Sequence, residues 1–284
     1  MTTGHETLAR GPGAAVSPGA GDRDGDAGAL TIGRATLDRL RWFNAVMGAL
    51  HLVSAVVMLA LANGFELSVG AIQLQGPPGT PLADSTLGKV GDVRLAWATA
   101  AFLLLSAVFH AIIAGPGYGT YRRELRHGRN RFRWVEYSLS ATLMIVLIAL
   151  VTGVVDLAAL IAIAFANTAM ILFGWIMEVV NTPGARTWWT PFWFGCIAGA
   201  GPWLAIAAYL AYNVGSTDVG PPGFVYGILI SIFVLFNSFA LNQWLQYRQV
   251  GPWRRYEFGE AVYIVLSLTA KSALAWQIFA NTLI

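Results

Sequence analysis

The sequence predicts an all-α membrane protein, a bundle of seven transmembrane helices, and three observations lead there. The 284 residues are 56% hydrophobic and only 12% charged, with a mean hydropathy of +0.58, too apolar for an ordinary soluble domain. Seven apolar runs are each long enough to cross a hydrocarbon core that needs about 20 helical residues. Finally, these runs are continuous rather than alternating, which argues against a β-barrel.

The chain opens with a stretch rich in Gly, Ala and Asp that lacks any apolar run. Such a segment buries too little to fold, so residues 1–33 are expected to form a disordered tail rather than a secretory signal. The spans are expected near 40–62, 93–114, 131–154, 157–179, 191–213, 224–246 and 258–282, and together they make one domain, 34–284. The only long connection, Asn63 to Asp92, holds a short alternating run ended by Gly and Pro, so a small β-hairpin is expected between spans one and two. It reads as a cap or a contact between copies of the chain.

Charge sets the orientation. Arg34, Arg39 and Arg41 precede span one, and Arg122, Arg123, Arg126, Arg129, Arg131 and Arg133 crowd the connection from two to three. Arg186, Arg248, Arg254 and Arg255 fall on the same side, whereas the other side offers Lys89 and Arg94 against Glu66, Asp84, Asp92, Asp156 and Asp218. The positive-inside rule therefore puts the N-terminus in the cytoplasm and the C-terminus outside. The lone Cys196 permits no intrachain disulfide and reads as a small buried hydrophobe. Nothing supports nucleic-acid binding, and two dispersed histidines without cysteine ligands give no metal spacing.

Span seven carries one charge near its middle, Lys271. An ammonium at that depth is costly in lipid, so it is a functional candidate unless it snorkels to the interface. A buried primary amine is suited to Schiff-base chemistry with an aldehyde. Ser267 lies one turn earlier on the same face and can hydrogen-bond that nitrogen. Among the intramembrane acids Glu136, Glu178 and Glu260, the deepest is Glu136, which can face Lys271 as counter-charge or pair locally with Arg133. Ser140 lies one turn beyond it. Glu178 and Glu260 sit nearer the cytoplasmic ends and are expected to be hydrated. His51 and His110 can form a polar pocket able to hold a proton. Met170, Trp203, Phe236 and Trp276 can line an elongated apolar pocket, or serve as ordinary membrane packing.

The stretches FRWVEYSLSATLMIVLIA around Glu136, ILFGW, PFWFGCIAGAGPW, PGFVYGILISIFVLFNSFAL and YIVLSLTAKSALAWQIF around Lys271 resemble the heliorhodopsin family across all seven spans. The resemblance implies a rhodopsin-type bundle, inverted in the membrane relative to other microbial rhodopsins, that binds all-trans retinal. It implies Lys271 as the retinal attachment site, Glu136 as counterion, Ser267 as a Schiff-base contact and His51 and His110 as cavity histidines. It also implies a homodimer with a slow photocycle that, in most members, does not pump; a light sensor in the cell membrane is then the expected function, signalling through the arginine-rich loop or a cytoplasmic partner protein. Proton-pumping rhodopsins carry acid, Thr and acid at intervals of four and eleven on span three. Here those places hold Glu136, Ser140 and Leu147, and the Asp they carry four residues before the lysine is Ser267. A light-gated proton channel or a light-driven pump is therefore the alternative reading. An enzyme using Lys271 on another carbonyl substrate is disfavoured, since the lysine's general acid–base neighbours are few.

Overall fold

The computed structural model describes residues 29–216 and 222–283, so most of the expected tail, residues 1–28, lies outside them. Its helices, in order, are α1 (Arg34–Ala60), α2 (Leu95–Ala114), α3 (Tyr118–Arg126), α4 (Arg131–Val151), α5 (Leu157–Val180), α6 (Thr190–Ser216), α7 (Gly223–Tyr247) and α8 (Tyr256–Ile278). Among the described residues, all of these but the short α3 are long and apolar enough to cross a membrane. The seven spans are therefore as expected, with ends shifted by a few residues. A π-helical turn, Phe279–Leu283, closes α8.

Local chemistry sets several of the helix ends. Asn130 caps α4, its side-chain oxygen accepting the Arg133 amide at 3.2 Å. Asp156 caps α5 through the Ala159 amide at 2.9 Å; such caps satisfy donors that the first helical turn leaves free. The arginine-rich connection between spans two and three is not a plain loop. It contains α3, whose Tyr121 and Leu125 are fully buried while Arg122, Arg123 and Arg126 stay exposed. That pairing of positions i and i+4 on one face makes α3 amphipathic and docks it across the end of the bundle. Chain order continues this packing at residues 29–33, where the Leu30 amide donates to the Arg126 carbonyl at 2.6 Å and Ile32 is buried.

The opposite end carries the hairpin. Strands β1 (Glu66–Leu74) and β2 (Ser85–Arg94) pair antiparallel from Glu66↔Arg94 to Leu74↔Ser85, with an irregularity at Val69/Gly70. Cross-strand side chains reinforce the register: Arg94 Nε donates to Glu66 at 2.8 Å and Ser68 to Asp92 at 2.7 Å. The Lys89 ammonium, hydrogen-bonded to Asp92, holds that carboxyl below the usual carboxylate range. The Gly70 amide also donates to the Val155 carbonyl at 2.9 Å, stitching the hairpin to the turn between α4 and α5.

Around the ring, α1 packs on α2, α2 on α4, α4 on α5, α5 on α6, α7 on α8 and α8 on α1. The tightest pair, α1 and α2, approaches at Gly48, where an added Cβ would stand 2.9 Å from that of His110. Between α6 and α7 the backbones stand apart, and the gap is bridged by rings: Trp203 meets Phe233 and Phe236 edge-on at 5.1 and 5.6 Å. Pro202, inside α6, removes an amide from the helix ladder directly before Trp203. The main core lies toward the hairpin end, where Met144, Ile145, Leu147 and Ile148 of α4 are at most 2% exposed.

Candidate functional site

Lys271 lies in the second half of α8 with 3% of its surface exposed, its ammonium enclosed within the bundle. Its Nζ is 2.9 and 3.2 Å from the two oxygens of Glu136 on α4, and it donates to Ser267 Oγ at 2.6 Å. The facing pair expected from the sequence is present, and the reading of Glu136 as a local partner of Arg133 is not. Glu136 is tied further by Ser106 on α2, whose hydroxyl donates to Oε1 at 2.6 Å. Ser140, one turn along α4, is fully buried. A carboxylate here must be paired, because burying it alone costs several kcal/mol (about 3–5 when one partner is removed).

Beside this pair the rings of His51 and His110 stack, 5.6 Å apart and 14° from parallel. Neither nitrogen of His51 has a hydrogen-bond partner among the described residues, while His110 Nδ1 meets Asn44 Oδ1 at 2.7 Å. A small cavity joins Asn44, His110, Glu136 and Ser267 to Asn130, Arg133 and Glu260.

On the other side of Lys271 is a cavity of about 490 Å³. Its walls include Met170, Trp203 and Phe236, as the sequence suggests, together with Trp134, Tyr137 and Tyr263, and both Ser267 and Lys271 border it. Trp276 does not: it is 39% exposed and meets Phe279 edge-on, so at the helix's outer face it meets the surrounding medium. Cys196 likewise is exposed rather than buried, at the edge of the cavity between α6 and its neighbours. Tyr137 places its ring 5.0 Å from Lys271 Nζ, a cation–π distance.

Toward the arginine-rich end the structure departs from expectation. Glu178 and Glu260 are each 1% exposed, not hydrated, and both are ion-paired with Arg133. Trp134 Nε1 donates to Glu178 at 2.6 Å, the Asn130 side-chain amide to Glu260 at 2.7 Å, and Tyr256 and Tyr121 hydroxyls to Glu178 and Glu260, each at 3.1 Å. The rings of Tyr263 and Trp134 flank the guanidinium at 4.0 and 4.9 Å. The cause is coverage: α3 and Asn130 roof this end, so carboxylates near helix termini still find themselves inside protein. Sequence depth alone misses this, although the arginine preceding Glu136 by one turn was a signal that α4 carries a cation inward.

A lysine and a glutamate paired within a seven-helix bundle, beside a long apolar cavity, define a narrow class. The family model of heliorhodopsins matches residues 40–283. The chain belongs to the heliorhodopsin family. Among solved structures, the light-driven proton pump LR (Mac) from Leptosphaeria maculans is similar, with a TM-score of 0.55 and 16% sequence identity over 89% of this chain and 98% of that one. At that identity the likeness shows the fold, a microbial rhodopsin bundle. No curated protein sequence matches the chain.

As a member of this family the chain is a retinal photoreceptor-type membrane protein, and its residues fit that chromophore. The cavity lies within the range of about 300–1,000 Å³ usual for small-molecule sites and is mostly apolar, as a polyene requires. Its one amine is Lys271, with a carboxylate and a hydroxyl in contact to hold a positive charge on that nitrogen. Replacing Glu136 by Gln keeps the shape and removes the localised counter-charge. The visible band is expected to move to longer wavelength, with part of the pigment turning into a near-ultraviolet-absorbing form at neutral pH. Absorption spectra recorded across pH check this, and an unchanged titration would assign the counterion to another group.

Proposed function

We propose that this heliorhodopsin is a light sensor that binds all-trans retinal at Lys271 and does not pump ions. Retinal, when bound, supplies a polyene that light isomerises. Lys271 would anchor it, and Trp203, Phe236 and Met170, which line the cavity, would confine its chain. Glu136 and Ser267 stabilise a proton on the lysine nitrogen until the geometry between them changes. His51 and His110, packed together beside Glu136, offer neutral nitrogens that can take that proton and return it.

One observation carries the choice of sensor over pump. From Met144 to Leu150, toward the hairpin end, α4 buries only apolar side chains, and Leu147 stands where a second acid would be needed, at 0% exposure. A proton crossing that layer would lose its hydrogen-bond partners, whereas a proton shuttling between Lys271 and the histidines need not cross it. The exposed arginines at the other end, from Arg34 to Arg131, support a cytoplasmic placement of that face and of the N-terminus. The arginine-bearing α3 is then the surface through which a cytoplasmic partner would read the light state. The hairpin, with Ile72, Leu74, Leu87 and Val90 exposed, suits a contact between two copies in a homodimer.

The test is the light-induced pH change and photocurrent of cells that express the protein, have been fed all-trans retinal and visibly hold pigment. No current and no net pH change are expected. A steady photocurrent that disappears in Lys271→Ala would make the protein a transporter and overturn the proposal.

A further inference from the structure

The hydrogen bonds around Asn44 fix which nitrogen of His110 is free. The Asn44 Nδ2 donates to the Leu40 carbonyl at 2.8 Å. A backbone carbonyl can only accept, so the NH₂ of the amide must face Leu40 and its oxygen must face away. That oxygen, Oδ1, meets His110 Nδ1 at 2.7 Å. It too can only accept, so Nδ1 must be the nitrogen that carries hydrogen. A neutral imidazole has one N–H, and Nε2 is therefore left bare.

The amide itself is held from the arginine-rich end. Its side chain stands within reach of the Tyr121 hydroxyl, which donates to Glu260 Oε1 at 3.1 Å. Glu260 is a carboxylate paired with Arg133 and accepts only, so Tyr121 must turn its hydrogen toward Glu260 and its lone pairs elsewhere. An NH₂ group facing that oxygen is consistent with the same amide orientation.

We propose that Asn44 is a positioning residue that holds His110 in the Nδ1–H form, so that Nε2 is the atom that accepts the proton released from the Lys271 nitrogen. This rests on the reading of His110 as a proton acceptor given above. The step balances as a simple transfer. An N–H bond at the Lys271 nitrogen breaks, an N–H bond at Nε2 forms, and one positive charge moves between them while Nδ1–H stays bonded to Asn44. The groups that bear on this ring are His51, stacked on it, and Glu136 and Lys271, whose charges both reach it. With the opposite tautomer, Nε2 would already be filled and the only lone pair would point at Asn44.

The experiment is ¹⁵N solid-state NMR of histidine-labelled protein in lipid, retinal-loaded and in the dark, with the His110 signals assigned by comparison with His110→Gln. Wild type is expected to show a protonated Nδ1 and a bare Nε2. In Asn44→Leu the ratio of the Nδ1–H to the Nε2–H form should fall about fivefold, the loss of one hydrogen bond. Asn44→Asp, which keeps the accepting oxygen, should restore the Nδ1–H form. A wild-type His110 protonated at Nε2, or an unchanged ratio in Asn44→Leu, would overturn the proposal; were that variant not to fold, the wild-type spectrum decides alone. The visible band is recorded on the same sample. Its absence counts against the retinal reading, whereas the wrong tautomer in a coloured sample counts against the role of Asn44 only.

Discussion

Lys271→Ala is expected to abolish every visible pigment band, however much retinal is supplied. The cavity's walls hold no second amine, and the other buried cation among the described residues, Arg133, is committed to Glu178 and Glu260. The substitution also strands Glu136, whose carboxylate would keep only hydroxyl donors. Loss of that buried partner costs about 3–5 kcal/mol, enough to lower the yield of folded protein and confuse the result. The double variant Lys271→Ala with Glu136→Gln removes both charges and should fold near normally while remaining colourless. Retinal reconstitution followed by absorption spectroscopy on both variants is the measurement, and a visible band in either would remove Lys271 as the attachment site.

Arg133→Met should produce the largest loss of stability of any substitution outside the retinal cavity. One guanidinium neutralises two carboxylates that are each about 1% exposed, so the wild-type cluster carries a net charge of −1 and the variant −2. The expected cost is about 3–5 kcal/mol, a fall in thermal midpoint on the order of 10 °C for a bundle of this size. Adding Glu178→Gln and Glu260→Gln should recover much of it, because Trp134, Asn130, Tyr256 and Tyr121 can still hydrogen-bond the amides' oxygens. Thermal bleaching in detergent, followed at the visible band, compares the three proteins. A midpoint in Arg133→Met equal to that of wild type would mean that the cluster contributes nothing to the fold.

Much of this was readable from residues alone because the membrane makes the rules severe. Seven uninterrupted apolar runs have one economical solution, and a single lysine inside one of them is conspicuous against lipid. The hairpin followed from alternation and turn residues. What stayed hidden depends on rotation and coverage. Arg133 lies three residues before Glu136 and so looks like its partner, but α4 directs it to α5 and α8 while Glu136 is turned to α8 and α2. Glu178 and Glu260 sit near helix ends, where hydration is the rule, and it is coverage by Asn130, Trp134, Tyr256 and Tyr121 of α3 that removes the water. The spacing of Tyr121 and Leu125 held that information, masked by the arginines between them. Asn44 and Ser106 were passed over because a single small polar residue in a span is common. Asn44 lies seven residues before His51, on the same helical face, and that interval was the available signal.

Arg133 and Glu136 ride on the same helix one turn apart, and that shared mounting bears on time rather than on place. Whatever unseats Glu136 tugs on a guanidinium clasped by two other helices, and separating it from either carboxylate climbs a barrier of several kcal/mol. Each 1.4 kcal/mol of such a barrier slows a step about tenfold. A conformation reached by opening that clasp would therefore form and decay about two to four powers of ten more slowly than one that leaves it closed.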